Sequence, residues 1–235
     1  MTPTDAPFRQ FHDQLAALNR RLLAMSERAE SLVELSVEAL LAKDEGKAEA
    51  VIAADAELDA MEIELEAAAL ELLALQQPMA RDLRFIVSVI KVTSDLERVG
   101  DHAVNIAQAA LRLISQRTTV TPDPEIEDMA RRARAMLSDA IDAFLRADGV
   151  LARDVVARDD QVDQLHESVF RILLTHMMAD ARTINPSLEY LLVSRNLERV
   201  ADLATNIGED AVFLAEGKQI KHAGAFPTAA DAFTS

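Results

Sequence analysis

The 235-residue sequence contains no cysteine, no tryptophan and a single tyrosine. Without thiols there are no disulfides and no thiolate-held metals, a composition suited to a reducing compartment. Aromatic residues make up only 4% of the chain while half of it is apolar, so any core must be packed with aliphatic side chains. Basic residues are also scarce, with 24 Lys+Arg against 40 Asp+Glu and a formal charge of −16. Such a surface repels phosphate backbones and anionic lipid, which argues against direct binding to nucleic acid. Long apolar runs are missing too. The best candidates for a membrane span are broken by Glu71, or by Lys91 and Asp95, and direct membrane insertion is not expected. The opening "MTPTDAPFRQ" lacks the basic start and apolar core of a signal peptide, so the expected location is the cytoplasm. Gly-rich phosphate loops, H-E-x-x-H, G-x-S-x-G and Glu-x-x-His are all absent, and nothing in the sequence looks catalytic.

What is present is a helical pattern that runs almost end to end. Apolar residues recur at alternating steps of three and four in six stripes, including Phe85–Val89–Val92–Leu96–Val99–Ala103 and Tyr190–Val193–Leu197–Val200–Ala204. Arg158 interrupts the fifth stripe at a core-facing position. Breaks occur at "KDEG" (43–46), "QQPMARD" (76–82), "ADG" (147–149) and "TINPS" (183–187), and "SQRTTVTPDP" (115–124) reads as a linker. Short connections force neighbouring helices to run antiparallel. The expected fold is therefore all-α, two tandem three-helix bundles spanning 8–117 and 124–222. Residues 1–7 and 223–235 are expected to be mobile tails.

The two halves share more than a period. "DLERVGDHAVNIAQ" (95–108) returns as "NLERVADLATNIGE" (196–209), so Glu97, Asp101 and Asn105 reappear 101 residues later as Glu198, Asp202 and Asn206. The preceding helix repeats as well, with Asp55/Asp59 returning as Asp159/Asp163 at an offset of 104. With Leu96 and Val99 on the core seam, the carboxylates fall on an outer helix face. Residues four apart lie about 6 Å from each other at Cβ, so each pair can converge on one cation. A single D-x-x-x-D in so acidic a chain is most simply solvated surface, and Arg98 and Arg199 stand three residues before Asp101 and Asp202, placed to neutralise them. Recurrence of every pair in both halves is what sets them apart. The candidate metal ligands are Asp55, Asp59, Glu97, Asp101, Asp159, Asp163, Glu198 and Asp202, with Asn105, Asn206, Arg98 and Arg199 as supporting neighbours. An all-oxygen set of this kind suits hard cations such as Mg, Mn, Ca or Fe, with Zn a borderline case, held singly or as a multinuclear cluster.

The duplicated "LERV-D---NI" core, the run "LALQQPMARDLR" (73–84) before it and "VFLAEGKQIKH" (212–222) after its second copy resemble the PhoU family over residues 8–222. The resemblance implies a non-enzymatic accessory and negative regulator of the phosphate-specific transport system and of the phosphate-starvation response. It implies metal clusters on the outer faces of both bundles and a homodimer. It also implies contact with the transporter's ATPase subunit (PstB-like) and with a sensor histidine kinase (PhoR-like), which would hold the protein at the inner membrane. The family's motifs fall on the eight carboxylates named above. Two departures stand out, Asn196 in place of Asp95 and the absence of Gln-Gln-Pro before the second copy, and they lead to the expectation that the two sites differ in metal or occupancy. The competing readings are a metal-dependent hydrolase or a metal store built on the same carboxylates, and a helical spacer whose acids are all solvated.

Overall fold

The computed structural model describes residues 5–116 and 124–220. Six helices account for nearly all of it: α1 (Asp5–Ala42), α2 (Glu45–Gln76), α3 (Ala80–Ser115), α4 (Pro124–Arg146), α5 (Gly149–Ala179) and α6 (Ile184–Glu216), with one 3-10 turn at Ala181–Thr183. Helix α3 runs through Ser115 and α4 starts at Pro124, so both ends of the expected linker 115–124 are helical; residues 117–123 lie outside the described set, as do 1–4 and 221–235. One boundary differs from expectation. Helix α1 begins at Asp5, so residues 5–7 are helical and not part of an N-terminal tail. None of the described helices is long and apolar enough to cross a membrane.

The helix ends follow from local chemistry. Asp44 accepts a hydrogen bond from Lys47 N at 3.0 Å and starts α2, while Asp148 accepts from Val150 N and Leu151 N at 3.0 and 3.1 Å and starts α5. Gly217 closes α6 in the left-handed region (φ 71°), donating its N–H to Phe213 O at 2.8 Å. Lys43, Gln77 and Ala147 take the same left-handed conformation after α1, α2 and α4, without glycine's freedom to adopt it.

Helices α1–α3 form one bundle and α4–α6 the other, each around an aliphatic core of fully buried residues such as Leu22, Leu58, Leu96 and Ile106, or Met136, Phe144, Val162 and Val200. Arg158, the charged break in the fifth stripe, is only partly buried and pairs with Asp139 at 2.7 Å and Asp154 at 3.2 Å. It therefore reaches past the core edge instead of entering it.

The bundles join through α3 and α6, which pack against each other. Lys91 bonds Asp210 and Arg112 bonds Glu189, each at 2.9 Å, so the two helices run antiparallel. These pairs are symmetric about Gly100 and Ala201, residues that are themselves equivalent in the repeat. The seam is thus the pseudo-two-fold axis of the molecule. Phe85 stacks on Phe144 with centroids 6.1 Å apart, and Arg134 reaches Glu34 at 2.8 Å, tying α4 to the first bundle.

Candidate metal centres

Each carboxylate set lies in a groove between the second and third helices of its bundle. The depth of the first groove depends on Gly100. A Cβ there would lie 2.3 Å from Leu58 Cδ2, so the absence of a side chain lets α2 approach α3 beside Asp101. Leu58 itself sits between Asp55 and Asp59. In the second half the volumes are exchanged: Val162 replaces Leu58 and Ala201 replaces Gly100, all four buried. Large-with-none and medium-with-small keep the summed side-chain volume at this contact similar.

In the first groove Asp55 and Asp59 on α2 face Glu97 and Asp101 on α3 closely enough for their charges to interact. Burial, followed by Asp101, Glu62, Asp59 and Asp55, pushes Glu97 up to about 7. Burial and the neighbouring Asp59 and Asp101 also raise Asp55. Glu62 belongs to this groove, raised by burial and by Glu66 and Asp59, and opposed by a hydrogen bond from Ser94.

The second groove is tighter. Asp159, Asp163 and Asp202 each offer an oxygen, and these three oxygens lie within 4.8 Å of one another, the one such triad among the described residues. Asp159 rises to about 6, from burial first and then from Asp202 and Asp163. Asp163 is raised by burial, Asp202 and Asp160, with His166 pulling the other way. The Thr205 hydroxyl lies close enough to Asp159 to pull it back down, but the two do not meet at hydrogen-bonding geometry, which leaves one Asp159 oxygen buried and unsatisfied. A convergent, half-desolvated set of hard oxygens with an unsatisfied atom fits a cation such as Mg, Mn or Fe, and it is costly without one.

The other expected residues are distributed less evenly. Glu198 is half-buried on α6 but stands outside the close triad. Asn105 is exposed and Asn206 half-buried. Arg199 bonds Asp202 at 2.8 Å as its spacing suggests, but Arg98 does not pair with Asp101; it turns back to Asp95 at 3.6 Å. The reason is the substitution between the repeats. Arg98 has an acid three residues before it, whereas Arg199 has Asn196 there and must turn the other way. Asn196 Oδ1 meanwhile accepts a hydrogen bond from His102 Nδ1, 2.9 Å away across the seam.

Glu62, Thr205 and Ser94 are groove residues that the repeat does not flag. Their equivalents are His166, Val104 and Arg195, so no duplication marks them. His166 sits where Glu62 does, with Nδ1 3.0 Å from Ser194 Oγ. Helical spacing would have found Glu62, which lies seven residues after Asp55 on the same face.

Comparison with known proteins matches this architecture. The PhoU domain model matches residues 22–110 and 126–211, one copy per bundle. A protein of Caulobacter vibrioides named phosphate-specific transport system accessory protein PhoU homolog is 39% identical over 92% of this chain and 94% of its own length. A homologue of the same name from Clostridium acetobutylicum is 38% identical over 89% and 96%. The crystal structure of PhoU from Pseudomonas aeruginosa superposes with a TM-score of 0.86 at 35% identity, covering 88% of this chain and all of that one. That of the phosphate transport system regulatory protein PhoU from Streptococcus pneumoniae gives 0.82 at 29% identity. With both bundles matched and relatives aligned over nearly their whole lengths, the chain belongs to the PhoU family.

Proposed function

We propose that this protein is a non-enzymatic accessory of a phosphate-specific transporter, acting in the cytoplasm as a negative regulator of phosphate uptake and of the phosphate-starvation response. The observation that carries this reading is the alignment over 92% of the chain with a relative named for that accessory role. The partners would be the transporter's ATPase subunit and a sensor histidine kinase, with the chain itself a homodimer. Contact between them would bias the kinase toward its phosphatase state.

The carboxylate grooves take divalent or trivalent metal in this reading. Asp159, Asp163 and Asp202 would hold it in the second bundle, with Glu198 alongside; Asp55, Asp59, Glu97 and Asp101 would do so in the first. A bound cation supplies positive charge that offsets the mutual repulsion of these acids and staples two helices together. The protein's own part is to fix the α2–α3 and α5–α6 spacing and to keep the carboxylates partly dry. The grooves are open helix faces without the enclosed, shaped cavity that metal-dependent hydrolysis requires, which favours a regulatory over a hydrolytic use.

The test is genetic. Deleting the gene should raise alkaline phosphatase activity in phosphate-replete medium, and the wild-type gene should restore it to low. Complementation with Glu97, Asp101, Glu198 and Asp202 all changed to Ala should fail if the grooves serve regulation, provided that the variant accumulates as folded protein. Low activity in the deletion strain would remove the regulatory reading and turn attention to the hydrolase alternative.

A further inference from the structure

The two grooves differ in what their arginines hold. Arg98 and Arg199 are equivalent in the repeat, and each stands one helical turn from two positions, 95 and 101 or 196 and 202. In the first bundle both positions are aspartates. Arg98 takes Asp95 at 3.6 Å, which keeps its charge off Asp101. In the second the earlier position is Asn196, and Arg199 Nη1 donates to Asp202 Oδ2 at 2.8 Å. Asp202 belongs to the convergent triad with Asp159 and Asp163, so a fixed cation lies directly on one of that groove's own candidate ligands.

The choice is enforced from the seam. Asn196 is held at both atoms of its amide: Oδ1 accepts from His102 Nδ1 at 2.9 Å, and Nδ2 donates to Leu192 O at 2.7 Å. The two-fold counterpart of His102 is Leu203, a buried apolar residue with no proton to donate. Histidine and asparagine thus go together on one side of the crossing, leucine and aspartate on the other. A neutral amide pinned to the seam offers a guanidinium no charge, whereas a carboxylate does. The residues at the α3–α6 contact therefore decide which way each arginine turns, and with it the charge that each groove presents to a cation.

We propose that Arg199 is a built-in counter-ion of the second groove that competes with metal for Asp202, so that metal entry in this bundle alone is coupled to release of Arg199 on the outer face of α6. A guanidinium at hydrogen-bonding distance opposes a metal ion twice: it occupies a carboxylate lone pair, and it repels the incoming charge. The buried Asp159 oxygen without a partner supplies the opposing pull toward metal. Arg98 gives the first groove no such competitor, because Asp95 holds it. Occupancy of the second groove is then set against an internal cation, and occupancy of the first is not.

This inference rests on the metal reading above. Its test uses Mn(II) alone as the probe, with free ion followed by electron paramagnetic resonance and the full chain in every sample. The second groove is measured in a Glu97→Gln, Asp101→Asn background and the first in an Asp159→Asn, Asp202→Asn background, with circular dichroism melting to confirm folding. Arg199→Gln should tighten the second groove about 3- to 10-fold, the worth of one partly exposed ion pair together with the relieved repulsion. Asn196→Asp should tighten it too while Arg199 is present, and have no effect once Arg199→Gln is in place. In the first groove Asp95→Asn should weaken binding by turning Arg98 onto Asp101, and should do nothing when combined with Arg98→Gln. Unchanged or weaker binding by Arg199→Gln would overturn the proposal, making the arginine a bystander or a supporting partner of Asp202. A gain from Asn196→Asp that persists without Arg199 would overturn it as well, since long-range charge would then be the whole effect. Failure of the wild type to bind Mn(II) at either groove would remove the metal reading and this inference together.

Discussion

Glu97→Gln should stabilise the metal-free protein at alkaline pH, although it removes a residue of the candidate site. The folded protein raises this carboxyl from 4.5 to about 7, first through burial and then through Asp101, Glu62, Asp59 and Asp55. A group whose folded-state pKa lies above its unfolded value costs no stability below the unfolded value, and costs progressively more as pH rises through the folded one. The penalty is therefore absent below about pH 4.5, grows between 4.5 and 7 and is complete above 7. Taken at face value the rise corresponds to a little over 3 kcal/mol at ~1.4 kcal/mol per pH unit. Glu97 is half-buried at the edge of an open groove, and solvent screening reduces this to about 1 kcal/mol. In a chain of this size that is a Tm increase of about 2–4 °C. Thermal unfolding followed by circular dichroism in chelator should show the gain at pH 8 and none at pH 4. Adding Mn should reverse the order, because wild type then regains more stability than the variant. A Glu97→Gln protein less stable than wild type at pH 8 in chelator would refute the reasoning, since it would mean that the carboxylate makes net attractive contacts in the folded state.

Three further outcomes follow from the packing and the caps. Gly100→Ala should cost about 1–3 kcal/mol by driving a methyl into Leu58, and Leu58→Val should cost about 1 kcal/mol alone; the double variant, which copies the second half, should cost less than the sum in a denaturant double-mutant cycle. Asp44→Ala and Asp148→Ala should each lose about 0.5–2 kcal/mol by urea unfolding, through loss of the bonds to Lys47 N and to Val150 N and Leu151 N. Ala147→Gly should raise stability by about 0.5–1 kcal/mol, because residue 147 holds φ 52°, and no gain in the same assay would mean that the strain is relieved elsewhere.

The helices were legible because their periodicity is long and their ends carry Asp caps, glycine or proline. The duplication was legible because two shifts superpose it. The α3–α6 seam was not: Lys91, Arg112, Glu189 and Asp210 look like ordinary surface charges in a sequence, and only the structure sets cation against anion across bundles. Reasoning from repetition also has a built-in blind spot. It marks residues that both halves share, so it passed over Glu62, whose equivalent is His166. It also treated Arg98 and Arg199 alike, although Asp95 and Asn196 send them in different directions. The heptad puts the carboxylates on an outer helix face, whereas Glu97, Asp159 and Asp202 are half-buried between neighbouring helices, a depth that in the first groove depends on the approach that Gly100 permits.

The seam also decides which halves recognise each other. Helix α3 supplies both cations of its outer ion pairs and α6 both anions. The duplicated positions carry no such complement: opposite a second α3, Lys91 would meet Ala109 and Arg112 would meet Ser88, and opposite a second α6, Asp210 would meet Leu192 and Glu189 would meet Phe213. The two duplicated bundles have thereby become a matched pair whose cross-seam ion pairs form only between unlike halves. Expressed as separate polypeptides and mixed, the halves should assemble with each other in preference to themselves. Among nascent chains, that polarity favours pairing of a first bundle with a second one over pairing with another first.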